Sequence, residues 1–141
     1  MVAALLLTTM LGASDAPVIE RPTQEQAIEL ANHGKHAEAL RGFQQLAADN
    51  PRDLDARVWI GRMHLEMRHP ELAESVFRSV VLESPQRVDA MIGLSDTLVS
   101  LGRNDDAMVV MDRAATIEPE NKDVAAAQRR ASSRHFPKFR F

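Results

Sequence analysis

The chain has no cysteine and no tyrosine, and only one tryptophan and five phenylalanines among its 141 residues. Without cysteine there is no disulfide framework, no zinc–thiolate site and no thiol nucleophile, while oxidising and reducing compartments both remain open. With aromatics at 4%, the apolar side rests on Ala, Leu, Val, Ile and Met. That mix suits packed helices better than sheets, because β-branched and aromatic runs are few. The chemistry of an active site is also thin. No glycine-rich phosphate loop occurs, and no serine stands in a nucleophile turn. None of His33, His36, His64, His69 and His135 sits four residues from another, and Gly34 interrupts the closest pair. No helical face therefore offers two imidazoles to a metal. Asp105 and Asp106 fall at a helix start, where acids complement the helix dipole, so they read as a cap and not as a catalytic pair. The expectation is a chain that is not an enzyme and takes no cofactor and no metal.

Charge is present but unevenly spread. The formal net charge is -3. Residues 122–141 hold Lys122, Arg129, Arg130, Arg134, Lys138 and Arg140 against Asp123 alone, a net of +5, which leaves -8 on the residues before them. An acidic body argues against nucleic acid as a partner. The basic end is either a solvated tail or a contact for phosphates or acidic lipid. At the other end, residues 2–13 form an apolar run without a charge. It is short of the ~20 residues a membrane-spanning helix needs. It matches the apolar region of a secretory signal peptide, with small residues Ala13, Ser14 and Ala16 at a cleavage site. No basic residue precedes the run, and Pro17 follows Ala16 directly. Residues 1–16 are thus read as a leader of a periplasmic or secreted protein. The alternative is an extra apolar helix or a disordered leader on a cytoplasmic one. No cysteine is available for a lipoprotein anchor.

Spacing carries the strongest signal. Pro51, Pro85 and Pro119 lie 34 residues apart, as do Ala39, Ala73 and Ala107. Four residues after each alanine comes Phe43, Phe77 or Met111, and Gly34 and Gly102 share a register with Arg68 between them. A small alanine lets two helices approach, and the large side chain one turn later fills the space beside it. Glycine supplies a left-handed turn between helices. Proline stops the second helix. Leu40, Phe43 and Ala47 recur at helical spacing, as do Val76 and Val80, and Val110, Ala114 and Ile117. Thr23 with Gln26 fits a capping box, and Pro70 fits a first-turn position. Six helices are predicted, near 23–33, 36–49, 54–67, 70–83, 88–101 and 104–117. A seventh, near 121–133, carries the polar surface that caps a stack of repeats.

These residues resemble the tetratricopeptide repeat family. Ala73 to Phe77 with Pro85 matches the signature of its second helix, and Ile60-Gly61 that of its first. Arg57 and His64 stand where the family often has Trp and Tyr, Gln26 occupies a usually apolar place, and Trp59 is two residues off the family's Trp position. The resemblance implies an all-α, right-handed solenoid: repeats at 20–53, 54–87 and 88–121, a capping helix at 122–134 and a basic aromatic tail at 135–141. It further implies that the first helices line a concave groove for a peptide or a helix. Aligned copies assign to that groove Gln24, Ile28, Ala31 and Asn32, then Asp55, Val58, Arg62, Leu65 and Glu66, then Asp89, Ile92, Asp96, Val99 and Ser100. Read this way, the groove is apolar with acidic edges and suits an amphipathic segment carrying positive charge. Some family members clamp the C-terminal carboxylate of heat-shock chaperones. Here the clamp positions hold Gln24, Ile28, Trp59, Asp89 and Gly93, so no such clamp is expected.

The tail, His135 to Phe141, alternates three Phe with basic residues, and Pro137 favours extended chain. It reads as a contact for a partner or membrane surface, as an occupant of the chain's own groove, as the start of something truncated, or as a disordered end. The organisation is similar to tetratricopeptide domains preceding outer-membrane barrels in some exported bacterial proteins. The function expected is a protein-interaction scaffold or assembly factor of the cell envelope. The alternative is a structural subunit that stacks through its repeat ends into homo-oligomers.

Overall fold

A computed structural model describes residues 21–133. The leader at 1–16 and the tail at 135–141 lie outside the described residues. Among the described residues, seven helices follow one another: α1 (Gln24–Asn32), α2 (His36–Asp49), α3 (Leu54–Glu66), α4 (Pro70–Glu83), α5 (Val88–Ser100), α6 (Asn104–Ile117) and α7 (Lys122–Ser133). Each packs on the next, and α5 also touches α3 and α7. The result is a helical solenoid of three hairpins, α1–α2, α3–α4 and α5–α6, closed by α7. The helix ends agree with the sequence periodicity to within a residue or two. No described helix is long and apolar enough to cross a membrane.

Local chemistry sets each boundary. Thr23 and Gln26 form the reciprocal capping box of α1, Asp53 accepts from the Ala56 N–H at the start of α3, and the Asn121 side chain accepts from the Asp123 and Val124 N–H groups at the start of α7. Pro70 opens α4, where its missing N–H costs nothing. The first helix of every hairpin ends in the same paired-bond turn. Lys35, His69 and Arg103 N–H groups reach back to the Leu30, His64 and Leu98 carbonyls at 2.9, 2.8 and 2.8 Å, while Gly34, Arg68 and Gly102 bond Ala31, Leu65 and Val99. The central residue has φ of 75°, 64° and 76° in turn. The second helices stop at Asn50, Ser84 and Glu118, each immediately before a proline and each with φ near -130°. The following pyrrolidine ring bars the helical region to that residue, which is why the stop recurs every 34 residues.

The marker residues form the core. Ala39, Ala73 and Ala107 and the large side chains Phe43, Phe77 and Met111 are all fully buried. Each such Phe stabilises by about 1.5–3 kcal/mol through burial alone. Phe77 joins the second and third hairpins. Its ring lies so close to Gly61 of α3 and Gly93 of α5 that a Cβ there would stand 2.8 Å and 2.4 Å from ring carbons. Gly61 and Gly93 are therefore contact-distance glycines, whereas Gly34 and Gly102 are conformational ones. Three clusters run along the stack. One lies around Phe43, one around Phe77 and Leu98, and one around Met91 and Met111, with Val124 and Ala127 of α7 completing the last.

Candidate protein-binding groove

The first helices and α7 line an open concave cavity of about 830 Å³. Of the residues assigned from sequence, Ala31, Asn32, Arg62, Leu65, Glu66, Asp89, Ile92 and Asp96 line it. Six of the assigned residues lie outside that lining. Val58 and Val99 are 2% and 9% exposed and belong to the cluster around Phe77, because their faces of α3 and α5 turn into the seam between hairpins. Gln24 and Ser100 are exposed but outside the cavity lining, and Ile28 packs on the Phe43 cluster. Asp55 meets the groove only through Arg87, a lining residue that it pairs with.

Of the acids assigned to the groove from sequence, Asp55, Asp89 and Asp96 are paired with arginines, while Glu66 has no ion pair among the described residues. Arg87 bonds Asp55 and holds Asp89 through its Nε at 2.9 Å and its Nη2 at 3.1 Å. Arg130 of α7 grips both oxygens of Asp96, at 2.8 and 2.9 Å. Burial acts to raise the Asp89 carboxyl, but the hydrogen bonds and charge of Arg87, the Ala90 N–H and the charge of Arg62 outweigh it and hold Asp89 below the usual carboxylate range. Asp89 hydrogen bonds in turn push Arg87 above the usual arginine value. The reading of the groove as edged by open acids is thereby corrected at Asp55, Asp89 and Asp96, since Arg87 pairs with the first two and Arg130 with the third.

The floor at the α3 end is aromatic. The Trp59 ring lies parallel to Phe43 with centroids 5.2 Å apart, and the Arg62 guanidinium sits 4.9 Å from the Trp59 ring centroid. Trp59 lines the cavity with Met63, Leu65 and Ile92, giving an apolar strip beside the ion pairs. Sequence reasoning misses Arg87 and Arg130 as groove residues and meets Trp59 only as the occupant of a clamp position. Trp59 is out of register with the family tryptophan, which hides it. Arg130 reads as part of the basic end, although Arg62, Asp96 and Arg130 are 34 residues apart and so share one column of the groove. Among the described residues, no cluster of three or more His, Asp or Glu could hold a metal.

Family models described as tetratricopeptide repeat match residues 25–66 and 64–131, and the chain belongs to that family. The fold it shares is one that generally serves protein–protein interaction. No curated protein matches the chain. Among solved structures, it is similar to TTC0263, a tetratricopeptide protein of Thermus thermophilus, at 20% identity and a TM-score of 0.75, covering 78% of this chain and 62% of that one. It therefore spans less than two thirds of that relative. It is also similar to the second tetratricopeptide domain of human RPAP3 in complex with the HSP70 peptide SGPTIEEVD, at 16% identity and a TM-score of 0.70 over 77% of this chain and 90% of that one. MamA of Desulfovibrio magneticus RS-1 matches at 22% identity and a TM-score of 0.69 over 79% and 63%.

Proposed function

We propose that the chain is a non-enzymatic interaction module that holds a peptide or helix of a partner protein in the groove of α1, α3, α5 and α7. The observation that carries this reading is the strip of Trp59, Leu65 and Ile92 on the groove floor, half-buried in the free chain and bordered by arginine–carboxylate pairs. An apolar floor with polar walls is what an amphipathic segment needs. The human RPAP3 domain, of similar fold, is known with a peptide bound, which supports a peptide-sized ligand. The apolar run at residues 2–13 supports export, and with it a scaffold role in a cell envelope. Leu65→Glu and Ile92→Glu place charges on the groove floor at half-buried, not fully buried, positions. In a crosslinking pull-down from the native host, each is expected to remove the partner recovered by the parent chain while helical circular dichroism stays unchanged. Recovery of the same partner by both variants would refute the groove assignment.

A further inference from the structure

The charged side chains of the groove are not equally engaged. Along one column, three positions 34 residues apart hold Arg62, Asp96 and Arg130. Asp96 is taken by Arg130 in a two-point fork, so that pair is complete. Asp89 is taken by Arg87. Arg62 has no carboxylate hydrogen bond among the described residues. Its guanidinium lies over Trp59, and Asp89 acts on it through charge alone. The position one repeat earlier in the same column is Ile28, which offers no charge. A guanidinium stacked by one face keeps its N–H edge free for a planar carboxylate.

We infer that the partner segment carries an internal Asp or Glu side chain that forks onto Arg62, as Asp96 forks onto Arg130, beside an apolar side chain seated on Leu65 and Ile92. This rests on the groove reading given above and sharpens it. The sequence alone pointed to a positively charged segment. The structure reverses that sign at this position, because Asp55, Asp89 and Asp96 are already paired and Arg62 keeps an open N–H edge. Glu66, one turn after Arg62 on α3 and also lining the groove, gives the segment a direction. It favours a basic or neutral residue about one turn away from the acid and disfavours a second acid there.

Random peptides displayed as internal fusions on phage, which present no free C-terminal carboxylate, are selected on the full chain. A selected sequence is then synthesised with both ends blocked and titrated against the emission of Trp59, the single tryptophan. Selected peptides are expected to carry Asp or Glu next to Leu, Ile, Val or Phe. Arg62→Gln, an exposed position, is expected to weaken binding by on the order of tenfold or more. Changing the peptide acid to its amide should give the same loss, and the two changes together no further one. Peptides that depend on Ile92→Glu but carry Lys or Arg, or that ignore Arg62→Gln, overturn the inference and leave the groove reading standing. Peptides indifferent to Ile92→Glu, or no enriched sequence at all, overturn both.

Discussion

Arg68 occupies the backbone position that Gly34 and Gly102 occupy in the neighbouring hairpins, at φ 64° against 75° and 76°. A side chain with a Cβ pays about 1–2 kcal/mol there, partly offset because glycine loses more freedom on folding. Arg68→Gly should therefore raise the unfolding free energy by about 0.5–1 kcal/mol. Gly34→Ala and Gly102→Ala should each lower it by about 1 kcal/mol, since nothing stands within 4 Å of an added Cβ and only backbone strain acts. Denaturant titration of the three variants checks both signs. The 34-residue register placed this turn correctly even where the middle copy lacks glycine, because the turn is set by short-range bonding. His64 shows what register does not reveal. Burial, and then the nearby His69 charge, hold its pKa below the ordinary histidine value, and its Nδ1 is buried without a hydrogen-bond partner among the described residues. Between its folded pKa and the unfolded value of about 6.5, the unfolded chain binds the extra proton. Stability should fall as pH drops through that window, before the acid limb of Asp89 and Glu74, whose carboxyls are held low in the fold. His64→Leu should flatten the slope of midpoint against pH just below 6.5, as read by urea unfolding across that range.

Phe77 on α4 is the element-scale pivot, because its ring fills the gap left by Gly61 on α3 and Gly93 on α5. Gly93→Ala would put a methyl 2.4 Å from ring carbons, so either the ring or α5 must shift. The expected cost is about 1–3 kcal/mol, larger than for Gly61→Ala, and thermal unfolding of the pair reads the order. From sequence, the alanine and phenylalanine columns announced that α3 and α4 pack closely. That the same ring also meets the next hairpin was not legible, since it depends on the crossing of helices distant in sequence. The groove was only partly legible for the same kind of reason. Its apolar members Leu65 and Ile92 followed from helical position, but Val58 and Val99, equally apolar, face the seam. The pairing of Asp55, Asp89 and Asp96 required knowing which arginines the solenoid brings across.

On the scale of the whole molecule, α7 serves two purposes. Val124, Ala127 and Ala131 cover the last hairpin, and Arg130 forms part of the groove wall. A chain stopped after Glu120 should lose roughly 3 kcal/mol of stability, the scale of exposing two large buried side chains around Met91 and Met111. It should also self-associate through the bared face, which light scattering and thermal unfolding would detect together. The two arginine forks carry a consequence for how a chain of near-identical hairpins finds its partners while folding. In such a chain a helix can dock one unit out of place, because the apolar contacts look alike from unit to unit. Were α7 to settle against α3 instead of α5, Arg130 would face Arg62 in place of Asp96. Like charges in that slot would repel where the correct arrangement bonds twice. The alternation of sign along the column thus acts as an address label that marks where the terminal helix belongs and rejects a slipped docking.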